Sequence, residues 1–159
     1  MKKLVLLLGF VAFFSISCDK DDPSNCCVIM DTGVTIKYVN ETGENLLEKD
    51  GALSIKDITL FHKVDSEWEQ YFKGNLDIPT GLEEVSMPEG KYLGIATSLD
   101  VDENNISETK IRFSETDEDI IKTKLNFSSN NTIVDKVWYN RELKWERTNK
   151  NPRNFVIVK

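Results

Sequence analysis

Beyond residue 27 the chain has no cysteine, and in all 159 residues it has one histidine, His62. The three cysteines, Cys18, Cys26 and Cys27, crowd the amino-terminal end, so none can staple a later core. Structural zinc wants four ligands, which this set supplies poorly. Cys26 and Cys27 also make a poor pair, since adjacent Cα atoms lie about 3.8 Å apart, short of the usual disulfide span. They are either free thiols or bridged to another chain. No Gly-rich phosphate loop and no Gly-x-Ser-x-Gly elbow occurs, which leaves the chain without two familiar signatures of catalysis. Positive charge is in deficit too, with 20 Lys+Arg against 27 Asp+Glu and a net charge of −7. That argues against a nucleic-acid partner, because phosphate binding needs a positive field. It argues equally against docking on anionic lipid heads.

Only one long apolar run is present. Lys2 and Lys3 precede thirteen apolar or small residues, Leu4 to Ile16, and then Ser17, Cys18 and the run Asp19-Lys20-Asp21-Asp22. The run is shorter than the roughly 17–25 residues of a spanning helix. A basic start, a short apolar centre and a small residue before a cut are the parts of a secretory signal peptide. Ser15-Ile16-Ser17-Cys18 resembles the lipobox of bacterial lipoproteins, and Lys20-Asp21-Asp22 resembles the export signal of Bacteroidota surface lipoproteins. Ser15 departs from the lipobox, where a leucine-like residue is usual, and cleavage by ordinary signal peptidase is the alternative. The resemblance implies removal of residues 1–17, lipid on Cys18, and attachment to the outer membrane facing the exterior. Two or three acyl chains hold firmly where one binds only marginally. Loss of Lys2 and Lys3 takes the net charge from −7 to −9. Residues 18–32 then read as a tether, charged and polar with Pro23, and 33–159 as one domain.

From Gly33 the apolar rhythm is two. Val34, Ile36 and Tyr38 mark a first strand, and Ile58, Leu60, His62 and Val64 share one face of a second. Trp68 to Phe72 reads as a third, Lys73 to Gly90 as irregular, and Lys91 to Thr97 as a strand. Thr109 to Phe113, Ile121 to Phe127, Ile133 to Tyr139, Glu142 to Arg147 and Phe155 to Ile157 complete the set. Eight or nine short strands without an amphipathic helix predict an all-β fold, an antiparallel β-sandwich. The opening, Val34 to Asn40 with Gly43 and then Ile58 to Phe61, resembles immunoglobulin-like or prealbumin-like modules of Bacteroidota lipoproteins. Val137 to Glu146 is similar to the end of small lipoproteins of the same group. No activity and no cofactor comes with either resemblance.

Asp100, Asp102 and Asn104 have the spacing of the first three ligands of an EF-hand calcium loop. The pattern then breaks at Asn105, where glycine belongs, and at Ile111, where glutamate belongs. Asp117-Glu118-Asp119 forms a second acidic turn, and a solvated hairpin tip accounts for either. His62, on an apolar strand face, reads as a packed histidine. An envelope hydrolase using His62 or a carboxylate pair is the alternative to a non-catalytic protein. The aromatics Trp138, Trp145 and Tyr139 are the candidate ligand-binding residues. A two-residue turn at Asn140-Arg141 would set Trp138 opposite Leu143 and Lys136 opposite Trp145, making the two indoles diagonal neighbours on one face. Buried, the indoles are core; exposed, they form a platform for a sugar ring or a protein. The expected partners are thus the membrane, through lipid, and a glycan or protein ligand.

Overall fold

The computed structural model describes residues 28–50, 53–128, 130–148 and 151–159. The expected signal segment 1–17, the lipidation candidate Cys18 and the Cys26-Cys27 pair lie outside the described residues.

Eleven strands follow in chain order: β1 Met30–Asp31, β2 Val34–Val39, β3 Thr59–Val64, β4 Glu67–Gln70, β5 Leu82–Met87, β6 Gly90–Ile95, β7 Ile106–Arg112, β8 Glu118–Ser128, β9 Asn131–Tyr139, β10 Glu142–Glu146 and β11 Asn154–Val158. They form two sheets. The larger runs β1-β9-β8-β7-β3-β4, with β10 also on β9; the smaller runs β11-β2-β6-β5. Their inner faces meet in one core, where Ile36, Tyr38 and Leu93 of the smaller sheet join Ile111, Ile121 and Val137 of the larger, all fully buried. Alternation explains the packing, since residues two apart along a strand share a face. In β8, Ile121, Thr123 and Leu125 turn inward while Lys122 and Lys124 turn outward. Inward hydroxyls find each other: Ser107 Oγ lies 2.6 Å from Thr123 Oγ1.

The expected sandwich is present, with two differences. Two strands escaped the sequence reading. Met30–Asp31, at the end of the stretch read as tether, pairs with β9. Leu82–Met87, read as irregular, is an edge strand whose Glu83-Glu84 interrupts the apolar alternation. The sheets are also mixed, because β1 runs parallel to β9 and β11 parallel to β2. Both parallel ladders bring in strands from the two ends of the described chain, and nothing local in a strand sequence records its neighbour's direction. Arg153 fastens those ends together, donating to the carbonyls of Asp31 and Gly33 and to the Asp31 carboxylate.

The β3–β4 and β9–β10 hairpins close on two residues each, Asp65-Ser66 and Asn140-Arg141, all four with positive φ. That is the type I′ turn, whose twist matches its strands but strains side chains other than Gly, Asn or Asp. Asn140 also works through its side chain, accepting from Ile120 N–H and donating to Asp119. Ser66→Gly and Arg141→Gly should therefore each stabilise the fold by up to about 1 kcal/mol in urea unfolding. A loss of stability in both would contradict the turn assignment.

Candidate binding face on the larger sheet

The inner face of the larger sheet is core, so any working surface of that sheet is its outer face. A row of side chains crosses it from edge to edge, one from each strand. Trp68 of β4 stands opposite Lys63 of β3. Lys63 Nζ reaches Glu108 Oε2 at 3.1 Å, and Lys122 Nζ reaches Glu108 Oε1 at 2.6 Å. Lys122 in turn faces Trp138 of β9, and Trp138 faces Leu143 of β10. Neighbouring strands are spaced by roughly 4.8 Å, so the row spans about 19 Å between its two indoles.

Beside it, Lys110 is only 8% exposed. Its Nζ lies 4.9 Å from the Phe61 ring and 5.0 Å from the Trp68 ring, with Glu118 Oε2 at 3.4 Å. Arg112 shares Glu118 and covers the other part of Phe61, its guanidinium 4.4 Å from the ring centre. Further along, Lys124 and Lys136 face each other in register, and Lys136 pairs with Glu146 at 2.7 Å.

Each of the first two glutamates serves two cations. Burial works against ionisation of Glu108, but hydrogen bonds from Lys122 and Lys63 outweigh it and hold the carboxyl below its ordinary range. Arg112, then Lys110, does the same for Glu118. With the Arg147–Asp135 pair beside Lys136, the face carries seven cations (Lys63, Lys110, Arg112, Lys122, Lys124, Lys136, Arg147) against four carboxylates (Glu108, Glu118, Asp135, Glu146). On a chain of net charge −7, this face holds a local excess of cations.

The aromatic platform read from sequence is corrected by the register. Trp138 does face Leu143, and the turn does hold two residues. A bulge at Lys144 then shifts the ladder, so that Trp145 pairs with Val137 instead of Lys136. One extra residue exchanges the two sides of a strand. Trp145 accordingly turns into the core, 8% exposed, beneath the Arg153 guanidinium at 5.2 Å. Tyr139 is also interior, 4% exposed, with its hydroxyl on the Asp119 carboxylate. Trp138 alone of the three remains half-exposed. Trp68, Phe61 and the lysines of β8 and β9 were missed in sequence. The alternation of Lys122 and Lys124 with Ile121 and Thr123 was visible, but which strands lie beside β8 was not.

The two acidic turns are spent internally. Asp102 Oδ1 accepts from the N–H groups of Asn104 and Ile106, closing a turn in which Asn105 has φ of 60°. Asp119 accepts from Tyr139, Asn140 and Lys159. Asp100 and Asp102 line a cleft with Asp65 and Glu108, but no group of three or more His, Cys, Asp or Glu side chains that could hold a metal ion assembles among the described residues.

His62 lines a cleft of about 610 Å³ with Tyr71, Phe72, Leu76 and Leu99. Its Nε2–H donates to the Ala96 carbonyl at 2.9 Å, and its ring packs on Tyr71 at 4.4 Å between centres. Of the hydroxyls lining the cleft, Thr97 donates to the Thr32 carbonyl and Ser98 accepts from Asp100 N–H.

No family model, curated protein or solved structure matches the chain.

Burial lowers the pKa of His62 below its ordinary 6.5, a push that the hydrogen bond to Ala96 opposes. The unfolded chain thus takes up this proton more readily than the folded one, so the contribution is full above about pH 6.5 and declines as pH falls below it. His62→Gln, which retains a donor for Ala96, should flatten the fall in Tm between pH 7 and pH 5. An unchanged slope would place that titration elsewhere.

Proposed function

We propose that the protein is a lipid-anchored envelope protein whose β-sandwich is a non-catalytic binding module at the outer membrane surface. The signal-like segment 1–17, the small Ser17 and Cys18 support the anchor. Among the described residues no helix is long and apolar enough to cross a membrane. Nine residues separate Cys18 from Val28, the first described residue, a stretch of at most about 35 Å. That length leaves the domain close to the bilayer with its sheet faces free to meet other molecules.

The observation that carries the binding role is Trp138. It is half-buried on the cation-rich outer face of the larger sheet, and among the described residues no ring, cation or hydrogen-bond acceptor engages it. A Trp left open in this way holds apolar area and an N–H donor ready for a ligand. The hydrolase alternative has less support, because the His62 ring is committed to Ala96 and Tyr71. It would be restored by an envelope hydrolytic activity that His62→Ala abolishes.

Cys18→Ser tests the anchor. Wild type should incorporate labelled fatty acid and sediment with membranes, whereas the variant should lose the label and appear in the soluble fraction. A wild-type protein recovered unacylated and freely soluble would contradict the proposal.

A further inference from the structure

We infer that Trp138, with Leu143 beside it and Lys122, Lys124 and Lys136 around it, is a subsite for a carboxylated pyranose of an acidic polysaccharide. The inference rests on the binding-module reading and names its ligand class. Three features of the site converge on it. Trp138 offers an unstacked ring, against which the apolar C–H face of a sugar can lie, and Leu143, 47% exposed, extends that apolar floor. Lys122 and Lys136 are already fixed by Glu108 and Glu146, so little side-chain freedom is lost when a ligand arrives. Lys124 is exposed, lies two residues along β8 from Lys122 (roughly 7 Å) and has no carboxylate partner among the described residues.

The cation without a partner and the ring without a stack are therefore diagonal neighbours on one face, Lys124 facing Lys136 and Trp138 facing Lys122. A neutral sugar would use the ring and leave Lys124 unanswered. An acidic peptide added as a strand at the β10 edge would lie beside Leu143, whereas the Trp138 ring and Lys124 stand on the sheet face one and two strands further in, beyond its backbone ladder. A carboxylated pyranose uses both. The remainder of the chain repels a polyanion, which confines it to the basic face and fixes its orientation.

The test is a set of binding isotherms for the full-length protein with oligogalacturonates and with the methyl esters of the same oligosaccharides. The free acids should bind, the esters should bind about tenfold more weakly, and raising salt from low to several tenths molar should erode the difference. Lys124→Gln, a surface change that leaves the core intact, should weaken the acids about as much as esterification does and leave the esters unmoved. Trp138→Ala should weaken both, and Trp138→Phe should recover part of the loss. Equal affinity for acid and ester, no effect of Lys124→Gln, or no binding of any acidic oligosaccharide would each overturn the inference. In the last case, a cell-surface partner still lost in Trp138→Ala would preserve the binding-face reading. If Trp138→Ala changes nothing at all, both fail.

Discussion

Two-residue alternation governs this molecule, because the larger sheet can bury only one of its faces. Once Leu60, Ile111, Ile121, Leu125 and Val137 face the smaller sheet, the residues that alternate with them are turned to the outer face. Bulges at two places keep the rule intact where the sequence would break it. At Asp135 the register slips so that Val134 and Val137 both point inward. At Lys144 it slips again and carries Trp145 inside. The second slip separates two indoles that would otherwise have shared a surface.

Electrostatics then shapes what the outer face presents. Carboxylates there act as clamps, each of Glu108 and Glu118 gripping two cations. Cross-strand pairs at such exposure contribute little to stability individually. Their larger effect is to hold long side chains in place and leave one positive charge over per clamp. A different network works at the end of the sandwich, where Asp119 collects Tyr139, Asn140 and Lys159. Burial opposes the charge on Asp119, but its hydrogen-bond donors, Lys159 foremost, hold its pKa down. There the carboxylate ties β11 to β8 and β9, a structural duty that acidic composition alone does not distinguish from ligand binding.

Strand positions were legible because Val34-Thr35-Ile36-Lys37-Tyr38 and its counterparts alternate cleanly, and Asn140-Arg141 was legible as a turn from its setting between two such runs. Leu82–Met87 was not, since an edge strand facing solvent has no apolar stripe to display. Parallel pairing was hidden for a different reason, being a property of two segments far apart in sequence, whereas the Lys144 bulge is local to its hairpin but leaves Leu143 and Trp145 looking like unbroken alternation. The candidate site shows the same division. Trp138 was visible as a lead, whereas its companions Lys122, Lys124 and Lys136 gain meaning only when β8 and β9 lie side by side. The likeness to immunoglobulin-like or prealbumin-like modules went as far as the two packed sheets.

The three tryptophans allow the face assignment to be read directly. Oxidative footprinting of the folded protein, resolved by mass spectrometry at Trp68, Trp138 and Trp145, reports which indoles meet solvent. Modification of Trp68 and Trp138 with Trp145 protected is the predicted pattern. Trp145 reacting as fast as Trp138 would mean that the bulge is absent, that both indoles share one surface, and that the outer face has been assigned wrongly.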